Sequence, residues 1–330
     1  MPALVSHWLL GKRVLPLLKK REDMAQLDET CFLWGCQGPD VLFFLRLMPW
    51  MKGPKMRETG SRIHDDSPSK LFTSIVGLLD RCGGEYYNKI LSYALGVCCH
   101  YCFDRTAHPY VNWLEKQMKK SDPRGGKFSY HGEIESMLDV MLLRHDTGRL
   151  LLDMKLTDCL PEGSGIRDVL AMVWSRVLID MYGMRLEDKY ADLLYSDTLQ
   201  CFRVLDNRST IRLPIFRAAE RLFGKNTGMV SAYMRPLTES LRWDYGNMNH
   251  GRWVNPMDAA QSGTEDIYQL ADIAERDCGG MFDAFLRILR RPEGERDDGT
   301  AEGRTARVLR EFMEYTEERS FSYNVNTANC

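Results

Sequence analysis

Apolar side chains recur along this chain at steps of three and four residues, the spacing that places them on one face of an α-helix. The clearest run lies between Ser164, a candidate cap, and Gly183, a residue type that commonly ends helices. Its members are Ile166, Val169, Leu170, Val173, Trp174, Val177 and Met181. No run of alternating apolar and polar residues is bounded by turns, so strands should be few. The periodicity therefore predicts an all-α protein.

Two polar stretches interrupt the helical pattern. Residues 52–70 are rich in Gly, Pro, Ser and charged side chains, which predicts an irregular loop. Residues 291–303 contain the run Pro-Glu-Gly-Glu-Arg-Asp-Asp-Gly, which is typical of a linker or a disordered loop. After it, the apolar spacing over 308–315 indicates one more amphipathic helix that could dock. We predict one multi-helix domain over 1–290, then a polar linker and a loosely attached tail over 291–330.

Charge and hydropathy exclude some classes of partner and location. With 330 residues and a net charge of −2, the chain has no general attraction to nucleic acid or to an anionic membrane. The most apolar stretch, residues 41–51, is broken by Arg46 and Pro49 and is too short to span a bilayer. Residues 1–11 do not resemble a secretory signal, so we expect a cytoplasmic protein with reduced cysteines. The oligomeric state is left open.

Three candidate metal ligands lie at regular four-residue steps. His100, Asp104 and His108 share one face of a helix, because each step of four residues drifts only about 40° around the axis. Pro109 disfavours helical geometry at the residue before it, which predicts that His108 lies at the end of this helix. A carboxylate between two histidines could also bridge two ions.

A second pair, His131 and Glu135, has the same spacing at the start of another apolar helical pattern. A single pair of this kind is more often a hydrogen bond on a helix surface. Two such sets in a chain with only seven histidines favour a metal site instead. Imidazole nitrogen and carboxylate oxygen are ligands that zinc prefers, so the spacing predicts zinc held between helices.

Four segments of the chain resemble the zinc-dependent phospholipase C family. The resemblance covers roughly the first 145 residues, and the order of the candidate ligands along the chain makes it specific. Relatives of this kind include secreted bacterial phospholipases C, fungal single-strand nucleases and the catalytic domain of glycosylphosphatidylinositol phospholipase D. The segments are Ser6-His7-Trp8-Leu9-Leu10-Gly11-Lys12-Arg13-Val14-Leu15, Gly35-Cys36-Gln37-Gly38-Pro39-Asp40, Ile63-His64-Asp65 and residues 95–109.

The resemblance implies a single multi-helix domain with a first zinc ion held by four side chains. These would be Asp40, His64, His100 and Asp104. It also implies metal-assisted hydrolysis of a phosphodiester, with a phospholipid or a related compound as substrate. Because the carboxylate of Asp40 would lie beside the metal-bound water, we expect it to orient or deprotonate that water.

The resemblance implies a second zinc ion and suggests a third. His108, His131 and Glu135 would hold the second ion, which keeps an open position for water. His7 would contribute to a third, with Asp104 bridging. Secreted members complete that third site with an amino-terminal tryptophan, whereas this chain begins with Met and Pro. We therefore expect two zinc ions, and three if water completes the site at His7.

Two alternatives remain open at the level of sequence. The adjacent His64 and Asp65 suggest a His-Asp-type metal phosphohydrolase, although their predicted position in a loop counts against it. The second alternative is a non-catalytic helical module that keeps zinc for stability or for partner binding. Metal stoichiometry separates these alternatives from the phosphodiesterase. A purely structural zinc site should be closed and four-coordinate, without an open position for water.

Overall fold

The computed structural model describes residues 4–48, 51–122, 124, 128–209, 211–222, 230–290 and 300–327. Within this part of the chain the protein is all-α, as predicted. The α-helices are α1 (Leu4–Lys19), α2 (Glu29–Gly35), α3 (Val41–Phe44), α4 (Arg57–Asp65), α5 (Pro68–Leu79), α6 (Gly84–Ser121), α7 (Tyr130–Thr147), α8 (Ile166–Tyr182), α9 (Asp188–Ala191), α10 (Leu193–Leu205), α11 (Arg212–Leu222), α12 (Ile267–Leu289) and α13 (Ala301–Thr316). Short 3-10 helices span Glu22–Met24, Gly38–Asp40, Leu151–Asp153, Leu156–Cys159 and Ser231–Tyr233.

Strands are few, as predicted. Among the described residues one antiparallel pair joins β1 (Trp253–Val254) to β2 (Ser262–Gly263). Helix α8 occupies the range that its apolar periodicity predicts and ends at Gly183, whose φ of 63° is left-handed. Its N-cap is Gly165 instead of the expected Ser164.

Helix α6 forms the centre of the fold. It packs against α2, α7 and α12, and most of its first thirty residues are buried. Two glycines permit the close crossing of α2 and α6. A Cβ on Gly35 would lie 2.1 Å from the Tyr93 carbonyl oxygen, and one on Gly96 would lie 2.2 Å from that of Phe32. This crossing places the turn after α2 directly beside the middle of α6.

Helix α6 continues through Pro109, so the predicted end of the helix at His108 is wrong. Proline lacks the amide that would donate to the carbonyl four residues earlier, which weakens a helix interior. The turns beyond it bury Tyr110, Val111 and Leu114 against neighbouring elements. Burial of that apolar surface outweighs the local preference of the residue before proline.

The predicted loop over 52–70 is also wrong, because it contains α4 and the first turn of α5. Ser67 and Pro68 act as start signals for α5, with the serine hydroxyl accepting from the amide of Lys70. The His64-Asp65 dyad therefore lies in the last turn of a helix.

The tail is firmly packed over the range that the structure describes. Helix α13 contacts α5 and α12, and its Phe312 is fully buried against Phe72 and Phe285. We call residues 317–327, which follow this helix, the C-terminal segment. The expected loose attachment is thus not found over 300–327, whereas the predicted linker at 291–299 lies outside the described residues. A domain boundary at 290 stays a prediction.

Candidate metal centre

The eight side chains predicted to bind metal converge from five elements of the fold. They come from α1, from the 3-10 helix Gly38–Asp40, and from α4, α6 and α7. Within each of three groups, the candidate ligand atoms lie within 4.8 Å of one another. The groups are His7 with His100 and Asp104, Asp40 with His64 and His100, and His108 with His131 and Glu135.

The carboxylate of Asp104 lies between four imidazoles. Its Oδ2 lies 3.1 Å from Nε2 of His100 and 3.5 Å from Nε2 of His64. Its Oδ1 lies 3.2 Å from Nε2 of His7 and 3.7 Å from Nε2 of His108. Each oxygen thus faces a different pair of imidazoles, an arrangement in which one carboxylate can touch two cations.

A second carboxylate, Glu135, lies between the imidazoles of His108 and His131. Its Oε1 lies 3.4 Å from Nε2 of His108 and 3.2 Å from Nε2 of His131. Its other oxygen, Oε2, is buried and has no hydrogen-bond partner among the described residues. A buried carboxylate oxygen without a donor is costly in a folded protein, and a cation beside it would remove that cost.

Backbone carbonyls hold three of the histidines in one orientation. Nδ1 of His64 lies 2.7 Å from the carbonyl oxygen of Gly60. Nδ1 of His100 lies 3.0 Å from that of Cys36. Nδ1 of His108 lies 3.0 Å from that of Phe321. Because a carbonyl can only accept, Nδ1 donates in each of these contacts, and Nε2 is the nitrogen directed toward Asp104. Metal-binding histidines usually have such a partner on the second nitrogen. The donor set therefore fits zinc.

His7 is almost fully buried beside His100. Its ring stacks on that of His100 with the centroids 4.0 Å apart, and its Nδ1 is buried without a hydrogen-bond partner in the described residues. Burial disfavours a charged imidazole here, but the Asp104 and Asp40 carboxylates outweigh burial and raise the pKa of His7. The same attraction acts in reverse on Asp104. Burial favours its neutral form, yet His108, His100 and His7 hold its pKa well below the usual value.

Sequence reasoning missed Glu115 and the backbone carbonyl of Phe321. Glu115 lies 3.6 Å from Nδ1 of His131, and its pKa is lowered to about 2 because this contact outweighs burial. Its position was readable from the spacing, since eleven residues after Asp104 corresponds to about 20° around the same helix. A backbone carbonyl has no such sequence signal.

A cavity of about 240 Å³ opens on these side chains. Seven of the eight predicted ligands line it, all except His100. The C-terminal segment supplies another wall through Ser322 and Tyr323. The Ser322 carbonyl accepts from Nδ2 of Asn112 at 2.6 Å, and its amide donates to the His64 carbonyl at 3.2 Å.

The sequence profile of the zinc-dependent phospholipase C family matches residues 6–188. The chain belongs to this family. The resemblance predicted from the sequence is confirmed and extends beyond the first 145 residues. No curated protein and no solved structure matches the chain.

Membership of the zinc-dependent phospholipase C family agrees with the chemistry of the donor set. All eight candidate ligands fall inside the matched range, whereas the C-terminal segment lies outside it. The family is zinc-dependent, and the three groups of His, Asp and Glu side chains could hold metal. The assignment of each side chain and the number of ions stay predictions.

Proposed function

We propose that this protein hydrolyses phosphodiesters with zinc, in the manner of a phospholipase C, and that its substrate is a phospholipid. One observation carries the proposal. The Asp104 carboxylate lies between four imidazoles, next to a second ligand group, and both open on one cavity. Family membership supports zinc as the metal and a phospholipid as the substrate class.

The proposed ligand assignment follows the three groups. Asp40, His64, His100 and Asp104 would hold one ion. His108, His131 and Glu135 would hold a second, and His7 with Asp104 would hold a third where water completes it. Zinc, when bound, polarises a phosphoryl oxygen and lowers the pKa of a bound water to about 7.

Asp40 is the side chain that we assign to the attacking water. It lines the cavity but is itself only 2% exposed, so its carboxylate is held in place by its surroundings. Its Oδ1 lies 3.1 Å from Nε2 of His64, and its Oδ2 lies 4.0 Å from Nε2 of His7. A carboxylate held in this way can accept a proton from water bound between these histidines.

The two alternatives fit the geometry less well. The His64-Asp65 dyad lies on a helix, but neighbouring residues point about 100° apart. His64 is buried at the centre whereas Asp65 is exposed at the cavity edge, so the two do not face one ion together. A purely structural zinc site should be closed, while this ligand set lines an open cavity.

The test is hydrolysis by zinc-loaded protein of phosphatidylcholine in detergent micelles, with product identification. We expect diacylglycerol and phosphocholine in equal amounts, loss of activity with chelator, and recovery with zinc. A single-stranded oligonucleotide assayed in parallel distinguishes a nuclease. Cleavage of the oligonucleotide alone would refute the phospholipid substrate, and inactivity of protein with full zinc on every phosphodiester would favour the non-catalytic module.

A further inference from the structure

The four most exposed large apolar side chains of the described residues belong to two neighbouring segments. Their exposed fractions are 99% for Leu241, 85% for Leu222, 63% for Ile211 and 58% for Ile215. Single exposed apolar residues are common on protein surfaces, but a group of this kind marks an interaction site. We call the three of them that lie at α11, namely Ile211, Ile215 and Leu222, the apolar patch.

The three members of the apolar patch form one stripe on α11. Ile211 immediately precedes the helix, and Ile215 and Leu222 follow it at about 40° and about 20° around the helix axis. Leu213, about 160° away from the stripe, is buried and attaches the opposite face to the protein. The helix is therefore anchored by one side and presents the stripe outward.

Leu241 lies on a loop that faces the anchored side of α11. A cavity of about 290 Å³ is lined by Leu213 and Arg217 from the helix and by Ser240 and Arg242 from the loop. Because Leu213 lies opposite the stripe, this loop is behind the helix, and Leu241 is not part of the apolar patch.

Arginines flank the stripe on both sides. Arg212 lies about 100° to one side, and Arg221 and Arg217 lie about 80° and about 120° to the other. All three are exposed, and no carboxylate of the described residues pairs with Arg217 or Arg221. Glu220, the one acidic residue of α11, turns inward and accepts from the amides of Val230 and Ser231. The surroundings of the patch are locally cationic although the chain carries −2 overall.

We propose that the apolar patch docks on the surface of an anionic phospholipid membrane. Apolar side chains of such a helix enter the boundary of the acyl chains, and flanking arginines reach the phosphate headgroups. The choice of a phospholipid surface rests on the proposed function. A second copy of the chain fits less well, because a two-fold pairing of this patch would set arginines against arginines.

Helix α7 lies between the metal centre and the cavity on the anchored side of α11. Glu133, Ser136 and Met137 line that cavity, while His131 and Glu135 line the cavity of the metal centre. The apolar patch is on the opposite, outward side of α11 from the Leu213 anchor.

The experiment is co-sedimentation of the full chain with sucrose-loaded vesicles of phosphatidylcholine and phosphatidylserine. The test variant replaces Ile215 and Leu222 with Ser, and Met257→Ser, a change at a 57% exposed apolar residue on another loop, is the matched control. We expect the affinity of the double variant for the vesicles to fall by about tenfold or more, and the control to bind like the natural chain. Raising the salt concentration should weaken binding, because headgroup contacts are screened.

The readout is binding, so it does not depend on hydrolysis. An Asp104→Asn variant should still bind the vesicles, which separates failure of docking from failure of the proposed function. Circular dichroism confirms that each variant is folded. Equal binding of the double variant and the natural chain would overturn the proposal. Absence of vesicle binding by the natural chain would also overturn it. In that case, a double variant that converts a dimer to a monomer would show that the patch joins two copies of the chain.

Discussion

Nδ1 of His108 lies 3.0 Å from the carbonyl oxygen of Phe321, a residue 213 positions further along the chain. The same phenylalanine is fully buried, and its ring lies 5.6 Å from that of His64 and 6.0 Å from that of His100. The C-terminal segment, outside the range matched by the zinc-dependent phospholipase C family, therefore contacts three of the proposed ligands.

Phe321→Ala should destabilise the protein by about 3–5 kcal/mol, because it leaves a cavity in a packed region. It should also lower the zinc content, since the rings of His64 and His100 lose a packed neighbour. Urea unfolding and elemental analysis measure the two effects. Met313→Ala, at a 45% exposed residue of α13, is the control and should change stability by no more than about 0.5 kcal/mol. Equal stability of the two variants would contradict this role of Phe321.

The protein should purify with at least two zinc-type ions per chain, because the ligand groups form separate sets around Asp104 and Glu135. Elemental analysis of protein purified without chelator measures the number. Removing the metal should lower the melting temperature, since a ligand that binds only the folded state stabilises it. Protein that carries no metal when prepared in this way would refute the zinc assignment.

His7→Ala should lower the metal content by at most one ion and leave the helical fold intact. His7 contacts the Asp104 and Asp40 carboxylates but belongs to none of the contacts around Glu135. Metal analysis and circular dichroism check the two parts of this prediction. If the variant folds but loses all of its metal, His7 has been misassigned.

Asp104→Asn should lose metal and hydrolytic activity together. An amide in place of the carboxylate removes the anion between the proposed ions, so their mutual repulsion rises. Asp65→Asn is the matched control, because it makes the same chemical change at an exposed carboxylate of the same cavity. It should keep most of the metal and activity. The reverse result, metal loss only in Asp65→Asn, would favour the His-Asp phosphohydrolase.

Without metal, stability should fall as the pH rises from about 6.5 to above 9. Burial disfavours a charged His131, but the Glu135 and Glu115 carboxylates outweigh it and raise its pKa to about 9. In the unfolded chain the pKa is about 6.5. A raised pKa in the folded state stabilises the protein below pH 6.5, and this contribution disappears as the pH rises through about 9.

Urea midpoints of chelator-treated protein at several pH values measure this dependence. His131→Gln should show a smaller fall over the same range, and an identical fall in both proteins would contradict the assignment. Zinc needs the neutral imidazole, so metal binding at pH 7.5 should release protons and should strengthen towards pH 9.

The sequence by itself determined the all-α class and the two candidate ligand pairs that depend on helical spacing. His100 with Asp104, and His131 with Glu135, are one turn apart on continuous helices, and such local geometry follows from the residues alone. His7, Asp40 and His64 have no local signal of this kind. They were predicted only because their order along the chain resembles the zinc-dependent phospholipase C family.

The tertiary structure alone decided what depends on contacts between distant parts of the chain. Local rules failed at Pro109 and over 52–70, where packing against neighbouring helices outweighs the preference of a short stretch. The two Asp104 oxygens face different imidazoles, and this arrangement depends on how α1, α4 and α6 pack together. The contact between His108 and the Phe321 carbonyl could not be read from the sequence, because every residue carries the same backbone group and only folding selects which one is used.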